Sequence, residues 1–150
     1  MSIFASPPAS GDGRVAESAR TQQGLYRCLL TLQSKEAAKP QEAPWALVVG
    51  IDIDEQFDDE FNEWYDTEHL PLLASVDGVA RARRFSLHAE EDVARPGCPP
   101  RYLAIFELED PRIPQGADWH AQVSTPWCDR IFRFRRLLFR TVYARAPVGS

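Results

Sequence analysis

Residues 45 to 53, WALVVGIDI, alternate without a break, and this constrains the chain more than any other feature. Trp45, Leu47, Val49, Ile51 and Ile53 fall on one side, and Ala46, Val48, Gly50 and Asp52 on the other. A period of two over nine residues is a strand with one apolar face. Gly50 leaves room on the second face for something to come close.

The period then changes. Phe57, Phe61, Trp64, Tyr65, Glu68 and Leu72 recur at steps of three and four, which places them on one helical stripe. Asp54 or Asp58 is expected to cap this helix, since acids favour the first turn. Pro71 lacks a backbone donor and should kink or break the helix near His69. Asp77-Gly78 ends it. Further strands are expected over 79–88, over 101–109 and from 132 to about 144. A short helix is expected from Asp118 to about Ile131, interrupted by Pro126.

From Trp45 onward the order is β-α-β-β-α-β, the split βαβ or ferredoxin-like arrangement. The expected fold class is α+β, with a four-stranded antiparallel sheet covered by helices on one face. The other face would be bare and apolar, and burying it is worth about 25 cal/mol per Å². A second copy is the simplest cover, so a homodimer with sheets face to face is expected. The domain is taken as residues 45–146. Residues 1–44 read as an N-terminal arm with one extra strand at 24–33 and a linker. That strand either extends a sheet edge or crosses to the partner.

Composition narrows the function classes. The net charge of -5 argues against nucleic acid as a partner. No apolar run is long enough to span a membrane, and the N-terminus lacks the basic and apolar regions of a secretory signal, so a cytoplasmic location is expected. Cys28, Cys98 and Cys128 match no zinc spacing and read as reduced thiols. Between Pro40 and Ala80 there are many acids and no Lys or Arg, whereas arginines crowd the later half. Such asymmetry either steers an acidic ligand or pairs an acidic helix with an arginine-bearing sheet.

The chemistry is concentrated in residues 60–73, EFNEWYDTEHLPLL. Glu68 falls on the buried stripe, where a carboxylate must be paired or protonated. His69 lies four residues after Tyr65 and three after Asp66, within reach of both on a helix. An imidazole beside a carboxylate and a phenol can move protons near neutral pH. The candidate catalytic set is therefore His69, Tyr65, Glu68 and Asp66. Each also has a purely structural reading. Glu68 could pair with Arg81, Arg83 or Arg84, His69 could satisfy a helix end, and Tyr65 could be core. Trp64 reads as core, and Trp119 and Trp127 as core or dimer contacts rather than a ligand cage. A metal held by His69, His88, His120 and Glu68 is not required by their spacing, so neither metal nor organic cofactor is expected.

The stretch WYDTEHLPLLASVDGVARARRF, residues 64–85, resembles the aromatic-Tyr-x-x-x-His-x-Pro-Leu and Asp-Gly-Val pattern of the dimeric α/β-barrel superfamily, in its EthD-like branch. PRYLAIFELEDP, residues 100–111, is similar to that branch's third strand and exit turn. The resemblance implies a mainly apolar pocket in each subunit, lined by His69 and Tyr65. It implies a small-molecule ligand, and relatives that include cyclases, isomerases, cofactor-free monooxygenases and decarboxylases. Two functions follow. One is a cofactor-independent enzyme acting on a small apolar or aromatic carbonyl compound, with His69 as acid or base, Glu68 or Asp66 orienting it, and Tyr65 donating to an oxygen. The other is a non-catalytic binding dimer, or a dimer with no ligand at all.

Overall fold

The computed structural model describes residues 25–36, 39–88 and 99–146. Cys98, residues 1–22 of the expected arm and most of the expected loop from Ala94 to Pro100 lie outside them.

Five strands form one antiparallel sheet: β1 (Tyr26–Gln33), β2 (Trp45–Asp52), β3 (Val79–Leu87), β4 (Tyr102–Leu108) and β5 (Arg136–Ala144), in the order β1-β3-β4-β2-β5. The last four strands carry the ferredoxin-like order. The extra strand β1 extends the sheet edge by pairing antiparallel with β3. The sheet thus has five strands rather than the four expected from residue 45 onward, because β1 satisfies the free edge of β3.

The helical layer contains α1 (Asp58–Trp64), a π-helical turn over Tyr65–His69, α2 (Leu70–Ala74), α3 (Ala117–Gln122) and α4 (Pro126–Phe134). Pro71 does not break the first helix. The chain runs from α1 through the wide turn into α2, with the Leu70 N–H reaching the Tyr65 carbonyl five residues back. Changing the hydrogen-bond register just before a residue with no donor lets the helix pass the proline.

Three other local expectations are corrected. Neither Asp54 nor Asp58 makes a side-chain cap; Asp58 instead accepts from the Tyr102 hydroxyl on β4. The second helical region is two helices, because Thr125 begins a new one by accepting from the Cys128 N–H at 3.0 Å. Residues 132–134 belong to α4, so the last strand starts at Arg136.

The core lies between the sheet and the helices. Leu47, Val49 and Ile51 of β2, Ala104 and Phe106 of β4, and Phe61, Trp64 and Leu73 from the helices are all buried. Complete burial of such side chains contributes about 1.5–3 kcal/mol each. The opposite sheet face carries Val48, Leu103, Ile105 and Phe85, all partly exposed, with Phe139 36% exposed on β5. Gly50 lies on that face, and the close approach expected there comes from Phe139 and Pro100. A Cβ on Gly50 would sit 2.5 Å from the Phe139 ring and 2.7 Å from Pro100. Gly78 turns the chain into β3 with φ +90°, a conformation that costs residues with a Cβ.

The acids and the later arginines are joined by ion pairs. Asp66 of the π turn meets Arg84 of β3 at 2.7 Å, Glu60 of α1 meets Arg130 of α4 at 2.8 Å, and Asp52 of β2 meets Arg136 of β5 at 2.9 Å. Among the described residues, no helix is long and apolar enough to cross a membrane.

Candidate functional site

A cavity of about 160 Å³ separates the helical layer from the sheet. Its floor is apolar: Leu47, Val49 and Ile51 from β2 and Phe106 from β4. Tyr65 and His69 come from the π turn, and Trp119, His120 and Val123 from α3 and the residue beyond it. Phe132 comes from α4, and Arg135 and Arg140 bring guanidinium charges to the lining.

The π turn determines what faces this space. Tyr65 and His69 bracket it, and both are buried, with 3% and 7% of their surface exposed. The rings meet edge to face at 4.9 Å. His69 also lies flat on the Trp64 indole, with centroids 4.1 Å apart. No hydrogen bond joins either Tyr65 Oη or a His69 ring nitrogen to a described residue, although both side chains line the cavity. In a packed interior such groups are normally paired. Here their free hydrogen-bonding capacity is available to whatever occupies the cavity.

The electrostatics are those of a largely apolar pocket with two arginines in its wall. Burial first, and the nearby Arg135 charge second, hold the His69 pKa down to about 3, so the imidazole is neutral at physiological pH. Burial raises the Tyr65 phenol well above its ordinary value, and the charges of Arg84 and Arg135 oppose that rise only in part. Arg135 has its own pKa lowered by burial, and Arg140 lowers it further. Its guanidinium stacks on Phe132, 3.7 Å from the ring centroid. Cys128 is buried and its thiol is pushed up to about 12, chiefly by burial, so it is a protonated core residue at neutral pH.

The two carboxylates of the candidate set lie elsewhere. Glu68 does not pair with an arginine, as its structural reading expected. Its Oε2 accepts from Trp64 Nε1 at 3.2 Å and from Thr125 Oγ1 at 2.6 Å. Since Thr125 also caps α4, Glu68 ties α4 to the indole that supports His69. The expected arginines are engaged by other acids. Arg81 and Arg83 converge on the fully buried Glu107, at 2.6 and 2.9 Å, and Arg84 takes Asp66. Asp66 therefore points to β3 and does not hold the imidazole.

Sequence reasoning named Arg84 only as a possible partner of Glu68 and gave Arg135 and Arg140 no individual role. Arg84 is 1% exposed and sits over the rings of Tyr65, Tyr102 and Phe61 at 4.9, 5.4 and 5.8 Å. Its Nη2 donates to Asn62 Oδ1 at 2.5 Å. Its alternation with Ala82 on β3 was the available signal. Arg135 and Arg140 had no such signal, because they face the cavity only once α4 stops at Phe134 and β5 begins. Of the other histidines, His120 lines the cavity and His88 lies beyond the end of β3. Among the described residues, no group of His, Cys, Asp and Glu side chains is arranged to hold a metal ion.

No protein-family model matches the chain, and no curated protein sequence does either. Solved structures do. A haem-degrading enzyme, LmHde from Listeria monocytogenes, superposes with a TM-score of 0.52 at 11% identity, covering 81% of this chain and 71% of that one. A major regulator of staphylococcal pathogenesis superposes at 0.51 and 9% identity, covering 83% and 69%. HapK from Hahella chejuensis matches at 0.46 and 15% identity, over 71% and 94%. At these identities the likeness is one of fold alone, a ferredoxin-like α+β subunit.

Proposed function

We propose that the protein binds a single-ring or similarly small carbonyl compound in the cavity under the π turn and moves a proton next to the carbonyl. His69 is the proton acceptor, and Tyr65 donates a hydrogen bond to the carbonyl or enolate oxygen. The observation that carries this reading is that both side chains line one cavity with no hydrogen-bond partner among the described residues. A structural dimer without a ligand requires the opposite: a salt-bridged Glu68, a satisfied His69 and no cavity. The pattern at residues 64–85 supports a place in the EthD-like branch for such a protein. The chemistry assigned to His69 and Tyr65 calls on no metal or organic cofactor.

Size limits the ligand. An apolar cavity of about 150 Å³ accepts benzene, and this one is about 160 Å³. A tetrapyrrole is several times larger than one benzene-sized ring, so the volume favours a single-ring ligand over haem.

Turnover is tested by incubating the protein in D2O with single-ring ketones and aldehydes and following loss of the α-proton signal. Wild type is expected to catalyse exchange, His69→Ala to lose it by about 10²-fold or more, and Tyr65→Phe to lose part of it. Exchange that is indifferent to His69→Ala contradicts the reading. Binding without turnover is the second reading. It is favoured by a histidine pKa near 3, low for a base, and by the absence of an orienting carboxylate behind the ring.

The same proposal includes a second copy of the chain against the open sheet face, where Val48, Leu103, Ile105 and Phe139 form an apolar patch. Wild type should run as a dimer in light scattering and Ile105→Glu as a monomer. A monomeric wild type removes this part.

A further inference from the structure

We propose that Arg135 and Arg140 form an anion subsite in the cavity wall, and that the ligand is a single-ring carboxylic acid whose carboxylate lies on these two guanidiniums while its ring fills the apolar floor. The inference rests on reading the cavity as a small-molecule site and adds the ligand's charge and orientation.

The first reason is pairing. Arg81, Arg83, Arg84, Arg101, Arg130 and Arg136 each meet a carboxylate within 4 Å. Arg135 and Arg140 meet none among the described residues. An unpaired arginine in open water needs no explanation, but Arg135 is partly buried, and burial without an anion disfavours its charge. Arg140 is exposed, and among the described residues its hydrogen bond is a long one, 3.4 Å from Nη2 to the Pro114 carbonyl oxygen.

The second reason is that the two cations act on each other. Arg140 lowers the pKa of Arg135, and Arg135 in turn suppresses protonation of His69 and eases ionisation of Tyr65. A site with two like charges beside a neutral imidazole and a protonated phenol is unbalanced by close to two units. One ligand carboxylate removes most of that repulsion, and guanidiniums bind carboxylates through paired N–H donors.

The third reason is the division of the lining. The part of the floor from β2 and β4 is apolar, and the two arginines come from the α4–β5 junction and from β5 at its edge. A ligand with one apolar and one anionic end has a single orientation here. Its carboxylate would also partly cancel the Arg135 field at His69 and make the imidazole a better proton acceptor when the cavity is filled. The basic later half of the sequence thus gains a specific use beyond pairing with the acidic helix.

The test compares matched acids and amides. Benzoate and phenylacetate, with benzamide and phenylacetamide as neutral partners, are titrated calorimetrically into wild type and into the R135Q/R140Q double variant, with near-UV circular dichroism confirming that the variant is folded. Wild type should bind the acids at least about tenfold more tightly than the amides, and the double variant should bind both alike, as expected for loss of charge-assisted hydrogen bonds. Amides binding wild type as well as acids would overturn the anion subsite while leaving the small-molecule reading standing. An acid preference that survives in the double variant would overturn the assignment to these two arginines. If neither acids nor amides bind wild type, the reading of the cavity and this inference fall together.

Discussion

Replacing Arg84 by Ala is expected to cost about 3 kcal/mol of stability, more than any other single change on the helix-facing side of β3. Arg84 is 1% exposed and bonds Asp66, Asn62 Oδ1 and the Asn62 carbonyl, while its guanidinium lies over three aromatic rings. Alanine leaves those acceptors unmatched and opens a hole between the π turn and the sheet. Removing one member of a buried ion pair costs roughly 3–5 kcal/mol. The lower end applies, because the Asp66 side chain is 46% exposed and water takes over its charge. Arg84→Met keeps much of the packing and should recover a substantial part of the loss. Asp66→Asn should cost less than about 1 kcal/mol. Urea unfolding of the three variants checks the order, and a cost below about 1 kcal/mol for Arg84→Ala would show that the guanidinium does not pin the helix.

The second large effect is acid sensitivity from His69. Its unfolded pKa is near 6.5 and its folded value about 3. Below pH 6.5 the unfolded chain takes up a proton that the folded imidazole refuses, so acid favours unfolding. The contribution is fully present above the unfolded pKa, shrinks as pH falls and is exhausted once pH passes below about 3. Between pH 6.5 and 4.5 the expected loss is about 2 kcal/mol from this residue alone. Carboxylates titrate over part of the same range, so the useful quantity is a difference. His69→Phe keeps a ring on Trp64 but carries no proton. Subtracting its stability curve from that of wild type isolates the histidine. A flat difference between pH 6.5 and 4.5 would mean that His69 is not held neutral.

Much of the architecture was legible in the chain because its periods are clean. WALVVGIDI alternates over its whole length, and its apolar side does form the floor of the core and of the cavity. The helical stripe through Phe61, Trp64 and Tyr65 was equally clear and is buried. What failed depended on contacts between distant residues. Asp58 looks like a cap by position, but a phenol 44 residues later claims its carboxylate. Glu68 looks like an arginine partner, yet Trp64 and Thr125 reach it first, and Glu107 takes two of the three arginines. The proline was read as kinking or breaking the helix near His69; the irregularity there is a π turn that changes the register, a form local rules do not anticipate, and the helix continues beyond it.

The candidate site shows the same division. His69 and Tyr65 stand together at the cavity, as four-residue spacing allows. Asp66 and Glu68 share that short segment but face β3 and α4. No pattern in the sequence separates the two pairs, since a wide turn rotates the residues after it relative to an ideal helix. Arg135 and Arg140 lie some seventy residues further on, and only the sheet brings them to the same space.

The most direct test of a small-molecule site beneath the π turn is methyl NMR on the labelled protein. Single-ring carbonyl compounds and acids are titrated in while the methyls of Leu47, Val49, Ile51, Leu73 and Val123 are followed. Saturable shifts at these methyls, with the exposed Leu25, Leu29 and Leu138 unmoved, are the expected result. Shifts confined to the exposed leucines, or none at any methyl, would contradict a ligand site between the helices and the sheet.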